Sequence, residues 1–268
     1  MNILEDIVEH KRGEIAARKR DVKVSELSER PLYGRTALPM ARALRRPGGI
    51  TIIAEFKRSS PSAGVLTKTL GVAAVAREYS FNGAAAVSVL TDERFFSGSL
   101  DDLASARHAV GIPLLRKDFI LDEYQIHEAK ASGADAVLLI AAILDRFSLS
   151  DLHAAAAGLG LEALVELYDE REIDLLDPDT MRLTGVNNRD LKSMSVDIGR
   201  TQSIAGLLSG VRGLTLVSES GIRSAGDLHR LEGYGVSAAL IGEHFMKSGS
   251  PGEALRALLN GAGNEAAG

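Results

Sequence analysis

Residues 112–140, IPLLRKDFILDEYQIHEAKASGADAVLLI, contain one complete structural period of the chain. An apolar run over 112–116 ends in the polar pair Lys117 and Asp118. A stretch of helical periodicity then opens at Asp122 and stops at Ser132-Gly133, and a second apolar run fills 136–140. Short runs rich in Val, Ile and Leu that alternate with longer helical stretches are the pattern of βαβ units and a parallel sheet. Ser132-Gly133 supplies the small residues with which helices end.

The period repeats in both directions from this segment. Apolar runs occupy 51–56, 85–90, 112–116, 136–140, 163–167, 183–187, 214–218 and 238–242. Their starts lie about 20 to 35 residues apart, enough for a strand, a crossover helix and two loops. Ser99-Leu-Asp-Asp-Leu offers a cap and an acidic first turn to one of those helices. Eight β/α units favour a closed (β/α)8 barrel over an open doubly wound sheet. The open sheet would carry a glycine-rich dinucleotide turn after its first strand, where this chain has EFKRSSPSAG. The glycines of the tail GAGNEAAG follow no strand and read as a frayed end.

Residues 1–48 precede the first run. They carry a helix-compatible pattern at Ile3, Ile7 and Val8 and a turn-rich bridge ending in RRPGG. This is an N-terminal helical extension packed on a single catalytic barrel domain of 49–268, where it either covers one end or shapes the mouth.

Composition sets the outer limits. A chain of 268 residues, 45% hydrophobic and 25% charged, is an ordinary soluble globular protein. Its formal net charge of -5 works against nucleic acid or an anionic membrane as partner, so an anionic ligand needs a local site. The absence of cysteine excludes a disulfide framework, a thiolate metal site and a cysteine nucleophile. The amino terminus lacks a signal-like apolar block and no run approaches the roughly 20 apolar residues of a membrane span, so the expected location is the cytoplasm.

Active sites of parallel β/α barrels lie at the carboxyl ends of the strands, where the loops of all the units converge. Those ends are polar here: Glu55 and Lys57, Lys117 and Asp118, Glu166, then Asn187, Asn188 and Arg189, then Glu219 and Ser220. Glu166 stands among Leu164, Val165 and Leu167, where burial without a partner would cost several kcal/mol. It is therefore a site residue or half of a structural ion pair with a neighbouring lysine. SESG at 218–221 and IGEHF at 241–245 follow the last two runs, the usual place for a phosphate site, and Gly221 and Gly242 allow close backbone approach. The six histidines are scattered without ligand spacing, and no metal is expected. Ser220 lacks the preceding glycine of a nucleophile elbow and suits phosphate better than nucleophilic attack.

Taken in order, IIAEFKRSSPSAG, SVLTDERFFSGSLDDL, PLLRKDFILDEYQIHEAKASGADAVLLI, ALVELYDE, GVNNRDL, LVSESGI and ALIGEHFM resemble indole-3-glycerol-phosphate synthase along nearly the whole chain. The resemblance implies a TIM barrel lyase of tryptophan biosynthesis. It would close, decarboxylate and dehydrate 1-(2-carboxyphenylamino)-1-deoxyribulose 5-phosphate to indole-3-glycerol phosphate, without a cofactor. Lys117 matches the general acid and Glu166 the base, while Glu55 and Lys57 match the first-strand pair. The division of the acid role between the two lysines stays open. Asn187 and Arg189 correspond to sugar-hydroxyl and carboxylate-proximal contacts, and Glu219 to the group that holds the cation. Ser220, Gly221, Ile241, Gly242 and Glu243 correspond to the phosphate end. Phe96 corresponds to the aromatic against the anthranilate ring, with Ser60 and Leu191 lining the pocket.

The chain departs from the pattern at Ala63, where bacterial relatives often carry lysine. It stops soon after the eighth unit, which predicts a monofunctional enzyme, expected as a monomer acting on a small phosphorylated substrate. The alternatives are another phosphate-binding barrel enzyme, whose strand ends would not combine Glu55, Lys57, Lys117 and Glu166, and a degenerate barrel scaffold, which would have lost them.

Overall fold

The computed structural model describes residues 3–47, 49–190 and 195–265. Eight parallel strands close into a barrel: β1 (Thr51–Phe56), β2 (Ala86–Leu90), β3 (Leu114–Lys117), β4 (Ala136–Ile140), β5 (Glu162–Leu167), β6 (Leu183–Asn187), β7 (Thr215–Glu219) and β8 (Ala238–Ile241). Sequence neighbours pair throughout. At the seam Ala54 of β1 lies beside Val87 on one side and Ile241 on the other.

All the expected runs are strands, with ends moved by a residue or two. β3 begins at Leu114 because Pro113 has no N–H for the ladder, although its carbonyl still accepts from Val87 N at 2.9 Å. β3 also takes in Lys117, and β7 takes in Glu219, so these two side chains issue from the sheet itself.

Alternation along the strands divides the core in two. Ile53, Leu115, Leu138, Leu164, Val217 and Leu240 fill the barrel interior. Ile52, Val87, Leu139, Val165 and Val186 face the surrounding helices. Each such fully buried side chain stabilises by roughly 1.5–3 kcal/mol before entropy is counted. The same parity, carried to the carboxyl ends, turns Glu55, Lys117, Glu166, Asn187 and Glu219 inward.

Local chemistry sets the helix boundaries. Ser99 Oγ accepts from Asp102 N at 3.1 Å to start Leu100–Ala109. Asp122 caps Glu123–Ala131, which ends at Ser132 and Gly133, the latter at φ +83. The crossover from β5 to β6 differs from expectation. It holds only a 3-10 helix, Glu170–Leu175, because Asp169 and Asp177 draw backbone N–H groups into turns and Pro178 supplies none. The tail also differs, since the helix Pro251–Glu265 continues through Gly261. A Cβ at Gly261 would meet Ala225 Cβ at 3.2 Å, so the glycine lets two helices approach.

The N-terminal extension touches the barrel at both ends. The helix Ile3–Asp21 brings Ile3, Leu4 and Ile7 to the barrel mouth. The helix Met40–Leu44 closes the opposite end, with Met40 and Leu44 in the interior cluster and Ala41 N donating to Glu162 Oε2 at 2.8 Å.

Candidate active site

The inward parity of the strands puts one lysine between two carboxylates. Lys117 Nζ lies 3.0 Å from Glu166 Oε2 and 3.0 Å from Glu219 Oε2. Asn187 Nδ2 donates to Glu166 Oε1 at 3.3 Å, and Asn187 Oδ1 accepts from Arg189 N and Ser220 Oγ. Just past the carboxyl end of β1, Lys57 Nζ reaches Glu55 Oε1 at 2.7 Å. Of the two meanings weighed for Glu166, it is indeed paired with a lysine, and that lysine belongs to the same site.

Burial alone would lower the Lys117 pKa. Glu166, Glu219 and Glu55 outweigh burial and hold the ammonium well above its usual range. Glu219 moves the other way. Burial, which Lys117 only partly offsets and Glu166 reinforces, pushes its carboxyl up to about 8. Its Oε1 is buried and has no hydrogen-bond partner among the described residues. The cluster therefore pairs an ammonium that holds its proton tightly with a carboxyl that gives up its proton less readily than an ordinary glutamate.

Above this cluster lies a cavity of about 160 Å3 that opens to solvent. One wall is apolar: Phe96 and Phe119, whose ring centroids are 6.1 Å apart, with Ile7, Leu138 and Ile140. The other wall is polar backbone after β7 and β8. Ser220 at φ 70 and Gly221 at φ +83 are consecutive left-handed residues. A serine held there costs on the order of 1–2 kcal/mol, and such turns build anion-binding concavities. Gly242 precedes the short helix Glu243–Met246, and Glu243 accepts from Arg189 at 3.2 Å and from Lys247 at 2.7 Å.

Every site residue anticipated from the sequence lines this one cavity except Leu191, which lies outside the described residues: Glu55, Lys57, Ser60, Phe96, Lys117, Glu166, Asn187, Arg189, Glu219, Ser220, Gly221, Ile241, Gly242 and Glu243. Two of them also have a part in the packing. Ile241 packs its side chain in the outer layer with the helices. Gly242 is required for Glu55, because a Cβ there would lie 2.5 Å from Glu55 Oε1 and 2.9 Å from its Cβ. Sequence reasoning missed Phe119, Arg223 and His244 as lining residues, and the part played by Asp118. Phe119 was findable as the apolar residue directly after a charged strand end. Among the described residues no group of three or more His, Asp or Glu is arranged to hold a metal ion, and no helix is long and apolar enough to cross a membrane.

Residues 4–258 match the family described as indole-3-glycerol phosphate synthase. The chain is 46% identical over 260 residues to the indole-3-glycerol phosphate synthase of Salinibacter ruber, covering 96% of this chain and 95% of that one. It is 45% identical over 259 residues to that of Desulfotalea psychrophila, covering 96% and 98%. A solved mandelate oxidase superposes with a TM-score of 0.57 at 18% identity over 88% of this chain and 79% of its own, a likeness of fold alone. Fold and relatives together place the chain among (β/α)8-barrel carboxy-lyases. It belongs to the indole-3-glycerol phosphate synthase family, whose place is tryptophan biosynthesis.

Proposed function

We propose that the chain converts 1-(2-carboxyphenylamino)-1-deoxyribulose 5-phosphate to indole-3-glycerol phosphate, carbon dioxide and water, with Lys117 as general acid and Glu166 as general base. The observation that carries this reading is the Lys117 ammonium fixed 3.0 Å from both Glu166 and Glu219 beneath a cavity with one apolar and one polar wall. The anthranilate ring packs against Phe96 and Phe119. The phosphate lies at the polar end, against Ser220, Gly221 and the backbone of 241–243, and Ser60 lines the side.

In ring closure the carboxyl-bearing carbon of the aromatic ring attacks the ribulose ketone, and the ketone oxygen collects the electron pair of the broken C=O π bond. Lys117 donates its proton there. An ammonium held above the usual lysine value of about 10.4 is a reluctant acid towards water, but an incipient alkoxide is basic enough to take its proton. Loss of carbon dioxide returns the C–C bonding pair to the ring and restores its aromaticity. In the last step the new hydroxyl leaves as water after protonation, and Glu166 takes the proton from the neighbouring CH2, completing the indole.

Lys57 contacts the phosphate or the departing hydroxyl and Glu55 orients it, so the second acid is either lysine. Asn187 and Arg189 orient the sugar hydroxyls and carboxylate, and Glu219 steadies the Lys117 ammonium. The first 48 residues serve the barrel as part of one catalytic unit. The protein works as a monomer in the cytoplasm.

The test adds the carboxyphenylamino-deoxyribulose phosphate to protein treated with a chelator and follows indole absorbance and fluorescence, with no tryptophan in the chain to interfere. A rise is the expected result. A flat trace from folded protein that binds the substrate would overturn the assignment.

A further inference from the structure

A second buried lysine lies one layer outside the site. Lys11, on the N-terminal helix, has no exposed surface, and its Nζ is 2.8 Å from Asp92 Oδ2, 3.0 Å from Asp118 Oδ1 and 3.0 Å from Glu14 Oε2. Asp92 and Asp118 begin the loops after β2 and β3, and each also holds backbone. Asp92 Oδ1 accepts from Phe95 N at 2.7 Å, and Asp118 Oδ1 accepts from Phe119 N at 2.8 Å. Those two N–H groups belong to the loops that present Phe96 and Phe119 to the cavity, and Asp118 directly follows Lys117. One turn before Lys11 on the same helix, Ile7 lines that cavity too.

We propose that Lys11 is a positioning residue for the reaction: its ammonium ties the loops after β2 and β3 together, setting the spacing of Phe96 and Phe119 and the exit of β3 from which Lys117 enters the site. The inference rests on the roles given above to Lys117 and the aromatic wall. Stability is a poor reason for such an arrangement, because a buried ion pair often contributes no more than apolar residues of the same volume. Geometry is a better one, since small misplacements at a reacting centre cost up to about a hundredfold in rate.

The charged groups around Lys11 determine what its loss does. Glu14, His10 and Arg18 lie on its own helix, Glu93 and Arg94 beyond Asp92, Arg116 and Lys117 on β3, and Glu128 on the next helix. Arg116 NH2 reaches Asp118 Oδ2 at 3.0 Å, so Asp118 keeps one cation without Lys11, whereas among the described residues Lys11 is the one cation ion-paired with Asp92. Lys11→Met keeps the length of the side chain and strands the Asp92 carboxylate.

The experiment compares wild type, K11M and the double variant K11M/D92N in steady-state turnover of the carboxyphenylamino-deoxyribulose phosphate between pH 5 and 8, with circular dichroism on each. For K11M, kcat/KM is expected to fall roughly ten- to a hundredfold, with KM raised and kcat lowered, and its remaining activity should decline as pH rises. The double variant restores charge balance, so a purely structural role would return kcat/KM to the wild-type value. The proposal expects it to stay at least about fivefold down while folded. If K11M does not fold, the double variant alone decides. Wild-type kinetics in either folded variant overturns the proposal. An inactive wild type overturns the preceding reading instead, which separates the two failures.

Discussion

The molecule contains two clusters of nearly the same composition that behave in opposite ways. At the mouth, Lys117 faces Glu166 and Glu219, and under the N-terminal helix Lys11 faces Asp92 and Asp118. In the enclosed cluster each carboxylate is further held by backbone N–H groups, and Asp118 also by Arg116 and by Thr91 Oγ1 at 2.6 Å. Although burial works against ionisation, Arg116, Lys11 and those hydrogen bonds hold Asp118 well below the usual carboxylate range. In the mouth cluster Glu219 Oε1 has neither a hydrogen-bond nor an ion-pair partner among the described residues, whereas Asp92 Oδ2, which also makes no hydrogen bond, is ion-paired with Lys11, and Glu219 is pushed up to about 8. A lysine among buried acids thus positions loops or meets the substrate according to how fully its partners are already satisfied. An unsaturated group retains hydrogen-bonding capacity for a substrate.

The strongest break in the comparison comes from removing the mouth lysine or its base. Lys117→Ala and Glu166→Gln should each lower kcat by about a thousandfold or more, within the range for general acid–base groups, while circular dichroism shows the barrel unchanged. Near-wild-type turnover in either variant would remove that residue from its role. The enclosed cluster should fail in stability. Asp118→Asn leaves the Lys11 and Arg116 charges facing a neutral amide and should cost about 3–5 kcal/mol in denaturant unfolding. A loss under about 1 kcal/mol would mean that the two clusters are not different in kind.

Gly242→Ala sharpens the comparison on a smaller scale. The new Cβ must displace Glu55, which it would approach to 2.9 Å at Cβ, and with it Lys57. We expect kcat/KM to fall about tenfold, equivalent to about 1.4 kcal/mol. An unchanged value would show that the Glu55–Lys57 pair tolerates movement and takes little part in the chemistry.

Legibility in the sequence followed the range of the forces involved. The strands were readable because their apolar runs are local, and Glu166 was readable because an acid among Leu164, Val165 and Leu167 breaks such a run. Lys11 was not. In EHKRGE it is one polar residue among several, and its burial is decided by Asp92 and Asp118 far along the chain. The crossover after β5 escaped for a related reason, since acidic caps and Pro178 favoured turns over the helix that alternation suggests. Apolar character was no surer a guide to burial, because Phe81 and Phe147 stand 88% and 80% exposed.

The last test concerns the unsaturated carboxyl itself. In the unfolded chain Glu219 loses its proton near the ordinary glutamate value of about 4.3, whereas in the folded barrel it keeps that proton up to about 8. Between those values folding takes up a proton, so stability falls as pH rises through the window, by at most about 1.4 kcal/mol per pH unit. Glu219→Gln has no proton to exchange and should lose this slope. Urea unfolding of both proteins at pH 5 and pH 9 should show the variant gaining at least about 1 kcal/mol relative to wild type at the higher pH. A parallel pair of stability profiles would mean that Glu219 is as fully compensated as Asp118, and the distinction between the two clusters would then rest on solvent access alone.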